Sequence, residues 1–522
     1  MTTSTPSVAA FGSAQAAFSR CLLFGGALLV SGCSGCDSGR DGRADRLPSA
    51  LLVTIDCLRA DHCSAYGYER TTTPNLDALA EEGVLFERSW AQAPFTAPSH
   101  ASLFTGLHTQ SHGVLHWSSR LVEGVPTFAG LFGAERYPTG AFLNHPSLAG
   151  TGVLDDFETV EQRILEPWQL AVGDFLGWLD RRVPDADDPF AAWVHLWDVH
   201  RPYGYRDWSL DVWQAASGRG PGELRLAYAE QTTEAGGYLE HPDPRVGRFE
   251  GHYNLDVGKR MTPRPLGDQQ RVFGEREWRA IEDRYDNAVR IADEGLGALV
   301  QGLRERARLD DTILIVTADH GETLRERPGC WFTHDPYLYE ETLRVPLVIR
   351  FPGAEFAGQR VQRTARGIDV LPTFLDVAGI GRIASIQGRS LLPDVLGDVR
   401  EEAPVFAQTQ TLNAKEDGRS AVSEGVPWVE HRLAVARDGF KLIRDLDTGR
   451  EVLFDLVADP AEVNDLAGAG QHGERQAEMA ALLDTLVRGL PSGGQDASEM
   501  SCEDRRVLVE LGYLPESVLA DC

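Results

Sequence analysis

Short apolar runs that stop abruptly, separated by stretches with helical spacing, recur through most of this chain. Ala50 to Ile55 (ALLVTI) is the first, and its β-branched residues without alternation predict a strand buried on both faces. It ends at Asp56. A helix is predicted from Thr73 to Gly83, with Pro74 near its start and Gly83 at its stop. Further strands are predicted at Phe190 to Leu196 (FAAWVHL), Thr312 to Thr317 (TILIVT) and Val345 to Phe351 (VPLVIRF). Glu275 to Arg304 carries apolar residues at helical spacing. Strands alternating with helices over 49–385 predict an α/β catalytic domain, with a large, mostly parallel central sheet flanked by helices.

Two segments break this pattern. Residues 205–270 are richer in Gly, Pro and aromatics, show no sustained period, and read as an insertion, a candidate lid. Near Gly388 the texture changes again, predicting a smaller C-terminal α+β subdomain over 386–470 and a tail over 471–522. Within the subdomain, Leu433 to Arg444 and Glu451 to Leu456 read as antiparallel strands joined by a turn at Asp447 to Arg450.

The N-terminus reads as an address. Arg20 precedes the apolar run Cys21 to Val30, which at about ten residues is too short for a transmembrane helix but fits the core of a signal peptide. The following Ser31-Gly32-Cys33 resembles the lipobox of bacterial lipoproteins. Residues 1–32 are then the signal peptide, Cys33 the lipidated residue, and 33–48, small and polar, a flexible tether. This predicts export to the cell envelope and a membrane contact through the lipid anchor. Export permits disulfides, and Cys502 with Cys522 could staple the tail. The cysteines form no zinc-finger pattern.

Charge narrows the partners. The chain has 522 residues, 42% of them hydrophobic, and a net charge of −28 from 50 basic and 78 acidic residues. Such an excess opposes binding to nucleic acid and requires a local positive centre for an anionic substrate, which a bound cation would provide. Oligomeric state is left open.

The chemistry gathers at strand ends, where open parallel sheets bind their ligands. Asp56 ends one strand, and Asp319-His320-Gly321-Glu322 follows another. Two acids and a histidine brought to one sheet edge make a candidate divalent-cation site. Pro94 to Gly106 opens a helix with hydroxyl residues Thr96, Ser99 and Ser102; one of them could simply cap that helix. A hydroxyl there is also placed to attack an anionic ester, because the helix N-terminus favours negative charge.

The segment Thr96-Ala-Pro-Ser-His-Ala-Ser-Leu-Phe-Thr-Gly106 resembles the sulfatase signature, Cys/Ser-x-Pro-x-Arg followed by small residues and Thr-Gly. Asp56 to Asp61 with Tyr66-Gly67, Thr73 to Asp77, His195 to Tyr203, Asp319 to Glu322, His334 with Leu338 to Pro346, and Lys441 with Phe454 to Pro460 resemble the family's other blocks in order. The resemblance implies the alkaline phosphatase-like fold and an ester hydrolase. It implies that Asp56, Asp319 and His320 bind one divalent metal ion, usually calcium in sulfatases and often manganese or zinc in phosphoryl-transferring relatives. Thr96 stands at the nucleophile position, and His200 and His334 at positions that contact the anion or protonate the leaving oxygen.

Three departures modify this expectation. Sulfatases convert their Cys or Ser to formylglycine; the methyl group on Thr96 Cβ bars that aldehyde, so formylglycine is not expected. The signature arginine is His100. The paired acids after the first strand are Asp56-Cys57, and the Lys-x-His expected after Phe142 is replaced by Asn144-His-Pro146. An unmodified threonine is the pattern of phosphoglycerol and phosphoethanolamine transferases in the same superfamily. A threonine sulfate ester has no hemiacetal route for release, so the chemistry favours a phosphodiester, phosphonate or phosphomonoester over a sulfate ester. The substrate expected is a small-molecule, glycan or lipid-derived anionic ester. The alternatives are a lipid headgroup transferase and an inactive lipoprotein binding anionic glycans. Trp193, Trp197, Trp208 and Trp213 hint at an aromatic-walled pocket.

Overall fold

The computed structural model describes residues 47–116, 119–144, 148, 150–163, 167–200, 203, 275–327, 334, 337–410 and 431–491, with two short strands at Leu239–Glu240 and Arg248–Phe249. The signal, lipobox, tether up to residue 46, Cys502 and Cys522 lie outside the described residues, as does the rest of 205–270.

The first strand, β1 (Ser49–Ile55), is buried at every position. Leu51, Val53 and Ile55 face one hydrophobic cluster while Ala50 and Leu52 face another. A strand with a core on each side needs apolar residues at both parities, which is why its sequence does not alternate. The remaining strands are β2 (Val84–Trp90), β3 (Thr139–Leu143), β4 (Thr159–Gln162), β5 (Ala191–Leu196), β6 (Leu239–Glu240), β7 (Arg248–Phe249), β8 (Thr312–Thr317), β9 (Leu347–Arg350) and β10 (Gln359–Arg366). Eight of them form one sheet in the order β10-β2-β9-β8-β1-β5-β3-β4.

Both β2 and β8 pair antiparallel with β9, and the other pairs in this sheet are parallel. The strand predicted at Val345–Phe351 is therefore shorter than expected and runs against its neighbours. Pro346 lies just outside it; lacking an N–H, it contributes only its carbonyl, which accepts from Thr317 Oγ1 at 2.7 Å.

Helices Trp168–Arg182 and Glu275–Glu305, with α1 (Pro74–Glu81), supply the cluster on one face. Helix α2 (Thr96–Thr105) packs on the other face with helix Val370–Val377. Gly106 ends α2 at φ +64°, and its carbonyl accepts from Gln387 and Gly388 N–H groups. Beyond residue 385 the chain returns to this core through Ile386, Leu391 and Val395.

A four-stranded antiparallel sheet follows: β11 (Val405–Gln410), β12 (His431–Arg437), β13 (Phe440–Asp445) and β14 (Glu451–Asp455). The run Leu433–Arg444, expected as one strand, is two. Asp438 (φ 52°) and Gly439 (φ 80°) form a two-residue hairpin between them, and Asp-Gly is the sequence that such left-handed turns favour. Helix Gly473–Gly489 covers one face through Met479 and Leu483. The other face meets Trp90, Leu338 and Leu343 of the main sheet's surroundings. There Lys441, 1% exposed, places Nζ 2.9 Å from Glu340 and 2.7 Å from Glu462. Among the described residues no helix is long and apolar enough to cross a membrane.

Candidate active site

Neighbouring strands β8, β1 and β5 end level with one another. Thr54 is opposite Thr317 on one side and His195 on the other, so Asp56 and Asp319 emerge two residues later at the same height. Helix α2 presents Thr96 and His100 to the same place. Asp56, Thr96, His100, Asp319 and His320 are all fully buried, and His200 and His334 nearly so. One ligand atom each from Asp56, Asp319 and His320 lie within 4.8 Å of one another.

Hydrogen-bond counting fixes the protonation pattern. His100 Nδ1 lies 2.8 Å from the Thr96 carbonyl, which can only accept, so Nδ1 carries the proton. Burial holds the His100 pKa down to about 3 against the pull of Asp319; the ring is neutral and Nε2 is an acceptor. Its 3.7 Å approach to Asp319 is therefore not an ion pair. Thr54 Oγ1 lies 3.0 Å from His100 Nε2, 2.8 Å from His195 Nδ1 and 2.8 Å from Trp193 Nε1. The hydroxyl donates to His100 and accepts from Trp193 and His195, which uses its one proton and two lone pairs. Burial lowers the His195 pKa to about 4, so that ring is neutral too, with its Nε2 lone pair directed at Asp56 Oδ2, 3.3 Å away.

His320 is bound differently. Its Nδ1 donates to Gly321 O at 2.9 Å, leaving Nε2 to face Thr96 Oγ1 at 3.2 Å, Asp319 Oδ2 at 3.5 Å and Asp56 Oδ1 at 3.9 Å. Burial opposes its charged form, but Asp319 and Asp56 outweigh burial and raise its pKa. Asp56 is pushed up to about 6 by burial, with His320 and the Cys57 thiol opposing. Neither Asp56 oxygen nor Asp319 Oδ2 has an N–H or O–H partner among the described residues. Buried carboxylate oxygens without donors are costly unless a cation joins them. Two carboxylates and an imidazole nitrogen so placed fit a divalent cation.

The surroundings hold this geometry. Ser99 Oγ donates to Asp319 O at 2.5 Å and the His320 N–H to Asp319 Oδ1 at 2.9 Å. A Cβ on Gly321 would sit 2.1 Å from Glu341 O, so only glycine lets the chain pass there. His334 Nδ1 donates to Pro94 O at 2.8 Å, and its ring centroid lies 4.2 Å from that of His320. His200 stacks on Trp197 at 4.8 Å. Asn144 Oδ1 accepts from Trp197 N–H at 3.1 Å, so this residue braces the His200 loop.

All seven residues singled out from sequence thus lie at one sheet edge. His195 and Thr54 were not singled out. The signal for both was a polar residue inside an otherwise apolar strand, ALLVTI and FAAWVHL. Trp193 is core, packed on His100 at 4.9 Å and Phe104 at 5.0 Å, and Trp208 and Trp213 lie outside the described residues.

A family model described as "Sulfatase" matches residues 48–380, and one described as "N-sulphoglucosamine sulphohydrolase, C-terminal" matches 329–488. This chain belongs to the sulfatase family. It is therefore an ester hydrolase on a family scaffold. It is 24% identical to an N-acetylglucosamine-6-O-sulfatase of Bacteroides thetaiotaomicron, over 88% of this chain and 90% of the relative. It is 26% identical to a choline-sulfatase of Rhizobium meliloti, over 88% and 90%. A phosphonate monoester hydrolase of Agrobacterium radiobacter has the same fold, with a TM-score of 0.64 at 20% identity, covering 84% of this chain and 95% of that one.

Proposed function

We propose that this sulfatase-family protein is a metal-dependent hydrolase of an anionic ester in which unmodified Thr96 is the nucleophile. The observation that carries this reading is the 3.2 Å contact between Thr96 Oγ1 and His320 Nε2, beside carboxylate oxygens that no N–H or O–H group reaches among the described residues. Asp56, Asp319 and His320 would hold the cation. Bound there, a divalent ion lowers the pKa of the attacking hydroxyl and neutralises charge on the ester.

The chain's own residues do the rest. His320, fixed through Gly321 O, points Nε2 into the space shared by Asp56, Asp319 and Thr96 Oγ1, so the hydroxyl stands beside the cation position. Thr96 is the first residue of α2, whose opening N–H groups have no acceptor within the helix and favour an anion. His334, held by Pro94 O through Nδ1, has Nε2 as an acceptor that takes the Thr96 hydroxyl proton as the ester is attacked and passes it to the leaving oxygen, and His200 lines the same space. Attack forms an ester on Thr96 Oγ1 and expels the alcohol; water then cleaves that ester.

For the substrate, the relatives' names point to sulfate esters, and the structural neighbour's to a phosphorus ester. Threonine favours phosphorus, because a threonine phosphate can be hydrolysed by in-line attack of water whereas a threonine sulfate lacks the hemiacetal route. Acid quenching during turnover, followed by peptide mass spectrometry, tests this. A phosphate ester on the Thr96 peptide is the expected result; an adduct elsewhere removes Thr96 from the role.

The same proposal includes export and anchoring through Cys33, supported by the apolar run Cys21 to Val30 before Ser31-Gly32-Cys33. Labelling with radioactive palmitate that persists in Cys33→Ser would exclude the anchor.

A further inference from the structure

Cys57 has a backbone conformation that side-chain-bearing residues rarely adopt. Its φ of 57° lies in the left-handed region, and it is fully buried. Such outliers persist where the surroundings over-determine them, and they concentrate at functional sites. Here both ends are held: Cys57 N–H donates to Asp319 Oδ1 at 3.4 Å, and its carbonyl accepts from the Tyr285 hydroxyl at 2.6 Å.

The result is a thiol among metal-ligand atoms. Cys57 Sγ lies within 4.8 Å of ring nitrogens of His320 and His334, and, in a second grouping, of donor atoms of Asp56 and His200. The Asp56 oxygens in that grouping have no N–H or O–H partner among the described residues. Cys63, also buried and free, belongs to neither grouping: its thiol donates to Arg59 O at 3.2 Å, whereas the Cys57 thiol is turned to the Asp56 carboxylate.

We infer that Cys57 is a thiolate ligand of this centre, which therefore takes a thiophilic divalent cation of the zinc class rather than calcium. The inference rests on the reading of Asp56, Asp319 and His320 as metal ligands. Calcium takes six to eight oxygen ligands, whereas a thiolate with imidazole and carboxylate is a zinc or cobalt donor set. On binding, the S–H bond is replaced by a sulfur–metal bond and the proton leaves to solvent. The cation's charge offsets the repulsion between thiolate and carboxylates.

The test is a cobalt(II) titration of the full chain after chelator treatment, followed by absorption spectroscopy. Visible ligand-field bands should grow together with a near-ultraviolet sulfur-to-cobalt charge-transfer band. Cys57→Ser should lose the charge-transfer band and bind zinc about 10-fold or more weakly. Cys57→Asp should lose that band but keep the ligand-field bands, and Cys63→Ser should keep both. Ligand-field bands that require Asp56, without a charge-transfer band in the native chain, would overturn the role of Cys57 and leave the metal reading standing. No cobalt uptake would overturn both. If Cys57→Ser fails to fold, the native spectrum and Cys57→Asp still decide.

Discussion

Replacing His112 with asparagine should flatten the acid side of this protein's stability profile. His112 is fully buried, its Nδ1 accepts from the Val114 N–H at 3.1 Å, and its Nε2 lies 3.0 Å from Ser102 Oγ. An Nδ1 that accepts from a backbone N–H has no proton of its own, so the ring is the neutral Nε2–H tautomer donating to Ser102. Burial accordingly lowers its pKa from 6.5 to about 3. The depressed folded-state value means that the unfolded chain takes up this proton first. Stability is thus complete above the unfolded pKa and is lost as pH falls from about 6.5 toward about 3. At about pH 5 the loss from this one group is RT ln(1 + 10^1.5), about 2 kcal/mol. His112→Asn keeps an acceptor for Val114 N–H and cannot titrate. Urea unfolding of both proteins at about pH 7 and about pH 5 isolates the term, because His100, His108 and His195, also held neutral by burial, contribute equally to each. The variant should lose about 2 kcal/mol less than the native chain between those pH values. Equal losses would refute the neutral, buried state assigned to His112.

Other perturbations test other parts of the structure. Lys441→Met removes the cation from buried Glu462 and partly buried Glu340, and should cost about 3–5 kcal/mol by urea unfolding, with Glu462→Gln in the same chain restoring part of it. Gly439→Ala places a side chain at φ +80° with its Cβ 2.9 Å from Val457 Cγ2, and should cost roughly 1–2 kcal/mol in the same assay. Asp319→Asn should lower cation affinity about 10-fold or more, which at a fixed saturating zinc concentration removes about 1.4 kcal/mol or more of the stabilisation expected for the native chain and shows as a smaller rise in melting temperature.

Much of the fold was legible because burial and helix punctuation act locally. The strand Thr312–Thr317 and the helix opening at Pro74 lie where apolar continuity and the proline predict them. Strand direction is not written in an apolar run, and β9 proved antiparallel for that reason. The split of Leu433–Arg444 was readable in Asp438-Gly439, whose turn preference outweighs the continuous apolar pattern around it. At the site, residues within recognisable motifs could be named from sequence. The Thr54 network could not, because it depends on register: Thr54 meets His195 only since β1 and β5 pair in parallel at that position, and meets His100 only once α2 packs on that face. Cys57 likewise read as a lost acid until its left-handed backbone placed the thiol among Asp56, His200, His320 and His334.

Thr96-dependent ester cleavage is the most direct measurement of all. The full chain and Thr96→Ala would be assayed side by side on an aryl phosphodiester, a phosphonate monoester, an aryl phosphate and an aryl sulfate, each with zinc, manganese or calcium. The native chain should turn over at least one phosphorus ester, and Thr96→Ala should lose roughly 1,000-fold or more of that rate while still binding the cation. Turnover that survives in Thr96→Ala at the native rate would contradict the assignment of Thr96 as nucleophile.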